Sequence, residues 1–519
     1  MNPSLWLETV NLSSYPSLDD NIQTEVLVIG GGLTGISCAF ELLKAGKEVV
    51  LVEANRLLHG TTGYTTSKLT VQHGLIYNYL ENHLGLDKAK QYYESNKMGM
   101  DHILKNIQTY GIEADIQPSA ASVYTKKSRY IKKIENEFKT AETIGIPATL
   151  TTELPLPYYV KQAITFDDQY EFNVVKYLVG LLGEIKKRGG KIYEQSQVVS
   201  VKETQDEVVA TLKNGRMIYA DDVVIASHYP CHKSLEFYFT KLMPHFSYCI
   251  ALETDEPLPD QMMINVETPV RSIRKAKYND KDILIVAGES HDAKQTKDKA
   301  SRFNHLREYA DYYFHTNNEL FRFSTMDYLS SDQVPLIGRI NKKSPHIFLA
   351  TGYGKWGMTK GAMASQIIKD LVIDGKSEYE ELYAPTRFSR LLTKTFFTYN
   401  LNQPITFIKS KRIKTEPFTD IAIGEQKMVK LKGKTIGMYK DEKGKLHLCE
   451  MICPHMRCTL RFNNAEHTYD CMCHGSRFSY DGTYLDGPSK RDLTRYEISE
   501  MLDESPHEVT DIDDTSSMK

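Results

Sequence analysis

The chain has 519 residues, room for about three domains. Its 64 basic and 67 acidic residues leave a formal net charge of −3, which gives no general nucleic-acid-binding or membrane-binding surface. No apolar run approaches the roughly 18 residues of a membrane span. Residues 1–20 carry Glu8, Asp19 and Asp20 and no basic stretch, so no secretory signal is expected and the protein is expected in the cytoplasm.

The first ordered elements form one βαβ unit. Residues 26–30 (V-L-V-I-G) are a continuous apolar run and predict a buried strand. The turn G-G-G-L-T-G follows, placing Gly30, Gly32 and Gly35 in a G-x-G-x-x-G pattern, and a helix is predicted over Ile36 to Ala45. A second strand runs from Glu48 to Glu53 and ends on an acid. Gly30 suits the tight turn, Gly32 lets backbone approach a pyrophosphate, and Gly35 lets helix and strand pack closely. Glu53 is placed to accept from ribose hydroxyls. The stretch from Glu53 to Thr70 is rich in Gly, Thr and Ser and can offer hydroxyls and amides to a cofactor.

This segment resembles the second cofactor loop of the D-amino-acid-oxidase-like flavoproteins, which include sarcosine and glycine oxidases. The resemblance implies FAD, with Thr61, Thr62, Thr66 and Ser67 as contacts, and the residue at Val199 meeting the adenine through its backbone. Helices are predicted from Tyr79 to Tyr110, over Ser128 to Ile144 and over Asn173 to Arg188, and a strand from Gly111 to Pro118. Pro155 and Pro157 predict an extended segment from Leu154 to Tyr159, where Tyr158, Tyr159 and Phe166 are candidates to line a pocket. Asn214-Gly215 is a hairpin signal, and Asp222 to Ser227 a buried strand. Arg271 and Arg274 stand three apart on a predicted strand, so at most one faces a pocket, where it could clamp a substrate carboxylate.

Asp332 to Gly338 (D-Q-V-P-L-I-G) resembles the same family's D-G-x-P-x-I-G segment, with Gln333 in place of Gly. A strand over Ile347 to Ala350 leads into Gly352, Gly354 and Gly357, a second G-x-G-x-x-G. No second strand with a terminal acid follows it, so it is not read as another nucleotide site. It resembles the family's closing flavin motif, in which a helix N-terminus points at the flavin. Residues 386–412 are aromatic and basic and are read as a packed connector. A membrane-surface helix is the competing reading, which Pro404 interrupts.

Five of the eight cysteines, Cys449, Cys453, Cys458, Cys471 and Cys473, fall within 449–473, the distribution of a metal site. Cys453 and His455 form a C-x-H pair, and Cys471 and His474 a C-x-x-H pair. Mixed Cys/His pairs suit a [2Fe–2S] cluster with one Cys₂ iron and one His₂ iron. Zinc also takes two Cys and two His, but its fingers use like pairs, C-x₂₋₄-C and H-x₃₋₅-H. With Gly475 and Ser476 following, the motif resembles the Rieske iron–sulfur proteins. The resemblance implies a Cys458–Cys473 disulfide joining the cluster loops, and a covering Pro loop at Gly487-Pro488. Ser476 stands where the family has a Ser donor to sulfur, whereas Phe478 stands where it has a Tyr, so an intermediate potential is expected.

The expected architecture is therefore α/β, a Rossmann-type FAD domain with an α+β substrate domain, plus a small all-β Rieske domain. Residues 1–385 are assigned to the oxidoreductase part, 386–412 to the connector, 413–502 to the Rieske domain and 503–519 to an acidic tail. The whole resembles bacterial fusions of these two domains. That implies oxidation of an amine or amino-acid C–N bond, with electrons leaving FAD through the cluster to an external acceptor, a protein or a quinone. No catalytic acid or base is identifiable. An NAD(P)H-dependent reductase would need a second complete βαβ unit, and a non-enzymatic redox sensor would hold both cofactors without turnover. A Rieske oxygenase would need a His₂–carboxylate iron site, for which too little chain follows the cluster motif.

Overall fold

The computed structural model describes residues 2–231, 237–295 and 298–498; the acidic tail expected over 503–519 lies outside them. The first sheet grows from the βαβ unit. Strands β1 (Ile22–Ile29) and β2 (Val49–Val52) are parallel, with Val26 opposite Val49 and Ile29 opposite Val52. Every residue of β2 is buried, as a continuous Val/Leu run in a sheet covered on both faces requires. Helix α1 (Leu33–Lys44) crosses between them from its cap at Gly32. Strand β3 (Met217–Ile225) lies parallel to β1 on its other side, with Ile29 opposite Ile225. The glycine turn thus sits at the carboxyl ends of β1 and β3, the edge at which open α/β sheets bind ligands.

The chain then enters a second, eight-stranded sheet whose two longest strands are β4 (Leu242–Thr254) and β5 (Thr316–Ser330), antiparallel neighbours at one edge. It returns to the first sheet as β6 (Ser344–Thr351), parallel to β3, and continues into α2 (Gly357–Ile373). Gln333 adopts φ +64°, the left-handed conformation for which the family's Gly is suited. The preceding Asp332 is buried and paired at 2.9 Å with Arg387.

Two local expectations need correction. The strand expected over Gly111 to Pro118 is regular only at Gln117–Pro118 and resumes at Ala120–Thr125, because Gly111 (φ +60°) and Asp115 (φ +49°) break the extension. The connector consists of short helices, Phe388–Leu391, Lys394–Leu401 and Gln403–Ser410. Pro404 does not interrupt a helix: it lies in the first turn of the last one, where a missing N–H costs nothing.

The C-terminal part has two four-stranded antiparallel sheets. One contains Gln426–Leu431, Lys434–Lys440, Leu446–Glu450 and Arg495–Tyr496. The other contains Arg461–Asn463, Thr468–Asp470, Arg477–Ser479 and Tyr484–Asp486. Residues 471–476 form the hairpin loop between two strands of the second sheet, and residues 453–459 lead into its first strand. Among the described residues no helix is long and apolar enough to cross a membrane.

Candidate functional site

A cavity of about 760 Å³ opens at the carboxyl ends of β1 and β3, within the range of small-molecule cofactor sites. Its floor is the glycine turn. Gly30 has φ +114°, and a Cβ there would lie 2.5 Å from the Ala226 carbonyl oxygen. A Cβ on Gly35 would lie 1.8 Å from the Gly30 oxygen. Only hydrogen fits at either position, so backbone amides and a helix N-terminus are presented to the cavity at van der Waals range. Glu53 accepts from the Gly31 amide at 2.7 Å and the Asn55 amide at 2.9 Å. Those bonds fix its carboxylate on the cavity wall, while burial pushes its pKa up. Thr62 Oγ1 accepts from the Leu33 amide at 3.0 Å and so ties the second loop to the start of α1. Thr61 donates to the Met326 carbonyl at 3.2 Å. The shape and donor set fit a dinucleotide.

Not every expected contact lies on this cavity. Thr61, Thr62 and Thr66 line it, but Ser67 does not. The Ser67 hydroxyl is fully buried, donating to the Phe172 carbonyl at 2.8 Å and accepting from the Val174 amide at 3.1 Å. The wall near Glu53 is formed by Ser196, Gln197 and Val198, one residue before Val199. Of the second glycine motif, Gly357 lines the cavity at the start of α2, whereas Gly352 (φ +77°) and Gly354 (φ +61°) shape the turn beneath it.

The second sheet contributes Cys249, Ile264 and Ala287 to the wall, the loop before one of its strands contributes Val270, and Lys68 comes from a separate three-stranded sheet. Lys68 was not singled out by sequence. Burial, helped by the like charge of Arg274, pulls its ammonium down to about 7, and it donates to the Met263 carbonyl at 3.2 Å. Neither expected arginine faces this cavity: Arg271 pairs with Glu289 at 2.7 Å and Arg274 with Glu171 at 3.0 Å. Tyr158, Tyr159 and Phe166 are also off it. Tyr158 bonds the hydroxyls of Tyr124 (2.6 Å) and Tyr309 (2.5 Å), Tyr159 is exposed, and Phe166 is core.

The second candidate site lies between the two cluster loops. Cys453 and Cys471 are reduced and buried, and a hydrogen bond joins their sulfurs. That bond, with the His455 and Met456 amides and the Ser476 hydroxyl, brings the Cys453 thiol down to about 7. The His455 and His474 rings are 5.1 Å apart, and the Nδ1 atom of each is buried with no hydrogen-bond partner. Burial holds the two imidazoles neutral, at about 4 and about 3. The same bond and burial push the Cys471 thiol up. Two neutral rings with orphaned nitrogens beside two buried thiols that share a proton are a donor set for a metal cluster. Cys458 and Cys473 form the disulfide joining the loops. The Cys471 sulfur lies within 4.8 Å of both, but sulfurs bonded to each other are not thiolate ligands. Gly487 closes over Ser476, its absent Cβ falling 2.6 Å from the Ser476 Cα, and Phe478 is fully buried with no hydroxyl to offer.

The two pockets share walls. The Phe239 ring stands edge-on to His455 at 5.5 Å and His474 at 5.0 Å. A Cβ on Gly475, beside His474, would lie 2.6 Å from Pro244 of β4 and 3.1 Å from the Met326 sulfur of β5. Met326 also lines the larger cavity. His228 bridges two carboxylates, with Nδ1 2.8 Å from Asp486 and Nε2 3.1 Å from Asp327. They hold the imidazolium up to about 10 against its desolvation. The C-terminal residues Arg477, Tyr484, Asp486 and Lys490 complete the larger cavity's wall.

Residues 25–371 match the profile of the DAO family, FAD dependent oxidoreductase, and residues 412–497 match the Rieske [2Fe-2S] domain. The chain is 34% identical over 496 residues to the Rieske 2Fe-2S iron-sulfur protein YhfW of Bacillus subtilis (strain 168), covering 95% of this chain and 97% of that one. Glycine oxidase from Geobacillus kaustophilus superposes with a TM-score of 0.59 at 17% identity, over 70% of this chain and 99% of its own. L-proline dehydrogenase from P. horikoshii gives 0.60 at 17% identity, over 71% and 99%.

Proposed function

Because the chain belongs to the DAO family of FAD-dependent oxidoreductases and carries a Rieske [2Fe–2S] domain, we propose that it oxidises the C–N bond of an amine or amino acid and passes the electrons from FAD through the cluster to an external acceptor, a protein or a quinone. When bound, FAD supplies a two-electron acceptor and the cluster a one-electron carrier.

The residues divide the work. The Gly30–Leu33 turn and the α1 N-terminus hold the pyrophosphate, and Glu53 accepts from the ribose. Thr61, Thr62 and Thr66 would offer hydroxyls to the bound cofactor from the cavity wall. The α2 N-terminus at Gly357 directs its positive end into the cavity, where it favours negative charge. Cys453, His455, Cys471 and His474 are the cluster ligands. Cys249, Ile264, Val270 and Ala287 would give the substrate an apolar wall.

One observation supports the electron route: Met326 lines the larger cavity and its sulfur would lie 3.1 Å from a Cβ on Gly475, the residue after His474. The substrate class is supported by the names of the structural neighbours, a glycine oxidase and a proline dehydrogenase. Anaerobic mixing with a panel of amines and amino acids tests both parts. The expected result is bleaching of the flavin band by one member, followed by the EPR signal of a reduced Rieske cluster. Bleaching by NADPH alone, with no amine active, would instead identify a reductase.

A further inference from the structure

The connector carries a surface unlike the rest of the molecule. From Thr386 to Thr415 the sequence holds Arg387, Arg390, Lys394, Lys409, Lys411, Arg412 and Lys414 and no acidic residue, in a chain whose net charge is −3. Arg387 and Arg390 are spent on Asp332 and Glu381, and Lys411 donates to the Arg457 carbonyl. No carboxylate partner of Lys394, Lys409, Arg412 or Lys414 is found among the described residues. Between these charges the last two connector helices turn large apolar side chains outward: Phe397 is 51% exposed, Leu401 73%, Ile405 51% and Ile408 58%. Phe397 and Leu401 stand four apart on the first helix and Ile405 and Ile408 three apart on the second, so each pair shares a face of its own helix.

This pair of consecutive helices is fastened to the cluster loops. Tyr399 donates to the Cys473 carbonyl at 3.0 Å, and Ser410 accepts from the Thr459 amide at 3.2 Å. Arg461 donates to the Arg412 carbonyl at 2.8 Å. Met456, next to His455, is itself 48% exposed. The exposed apolar residues and the open edge of the cluster loop therefore belong to one rigid neighbourhood.

We propose that the 394–414 helical segment docks the protein on an anionic lipid bilayer, with Phe397, Leu401, Ile405 and Ile408 entering the acyl boundary and the surrounding lysines at the headgroups. An apolar helical face rimmed by Lys and Arg without acids is the pattern of an interfacial helix, and lysine stems reach past buried apolar groups to keep their charge in water. An acidic protein partner fits less well, because the cores of protein interfaces are depleted of lysine. Docking in this pose brings the Met456 edge of the cluster loop to the depth of a lipid-soluble acceptor. The choice of acceptor rests on the proposed electron route; the docking itself does not.

The test is co-sedimentation of the full-length, oxidised holoprotein with vesicles of phosphatidylglycerol and phosphatidylcholine, and with phosphatidylcholine alone. Binding is expected to the anionic vesicles, weakened by salt, and at least about tenfold weaker to the neutral ones. The double variant L401S/I405S is expected to lose at least about tenfold in affinity, with the flavin spectrum and cluster EPR signal unchanged. K409E/K414E, which leaves the apolar residues intact, is expected to bind more weakly and with less salt dependence. Protein left in the supernatant with anionic vesicles overturns the proposal, as does binding that L401S/I405S does not weaken. Because the protein stays oxidised, a failed electron route would not alter the result.

Discussion

The two cofactor pockets are built on opposite plans. The cluster pocket draws its four candidate ligands from Cys453 to His474, with Met451, Leu460, Tyr469 and Phe478 packed around the two cysteines, a disulfide across the loops, and Phe239 of the larger part against both histidine rings. The FAD cavity is assembled from residues as distant as Ile29 and Lys490, on three layers of the fold. A pocket whose ligands all come from local hairpins depends on the rest of the fold only through a few contacts such as Phe239. A pocket closed by another domain inherits every weakness of the seam.

The sharpest break between them is expected at Gly35. Alanine there puts a Cβ 1.8 Å from the Gly30 oxygen, a backbone atom that cannot yield unless β1 and α1 part. Gly35→Ala is therefore expected to lose FAD altogether, read as the ratio of flavin to protein absorbance. The Rieske EPR signal should persist, because no part of the cluster core touches that turn. Loss of both signals together would mean that the pockets are not independent.

That asymmetry also governs what was legible in the sequence. The βαβ unit declares itself through an apolar run, a glycine spacing and a terminal acid within thirty-odd residues, and the cluster motif is equally compact. His228 and Met326 carry no local signal, because each matters through a partner more than a hundred residues away, Asp486 and Gly475. Val199 missed the cavity by one residue because strand register decides which backbone faces the wall. Ser67 looked like its threonine neighbours, but its hydroxyl is consumed by Phe172 and Val174. The two arginines read as possible clamps are paired with Glu289 and Glu171, partners that no spacing rule reveals.

A smaller effect is expected at the seam. His228 sits between Asp327 and Asp486, with Tyr328 and Tyr229 packed nearby. His228→Asn leaves two carboxylates facing each other, a loss of about 2 kcal/mol for a broken charge-assisted pair. Thermal unfolding followed by flavin release should detect it. The pH dependence has a definite sign. The folded pKa is raised to about 10, above the roughly 6.5 of a free histidine. The stabilisation is thus complete below about 6.5 and is lost as pH climbs through about 10. Wild type should release FAD faster on this alkaline limb, and His228→Asn should lack that limb. An identical limb in both proteins would assign it to another group.

The smallest expected effects separate the two glycine motifs. In the second one, a Cβ on Gly354 meets only Leu329 Cγ at 3.8 Å, and one on Gly357 only Tyr353 Cδ2 at 3.7 Å. Neither position is crowded as Gly30 and Gly35 are, so substitution is decided by the backbone. Gly354 holds φ +61°, and alanine there costs about 1 kcal/mol in a left-handed conformation. Gly357 lies in the first turn of α2, where alanine is a better helix former, and Gly357→Ala should be neutral or slightly stabilising. Denaturant midpoints for the two variants check this order. If Gly357→Ala proves the worse of the two and also loses flavin, the cofactor must approach that backbone more closely than a methyl group allows. The two motifs would then share a reason for their glycines, and not merely a spacing.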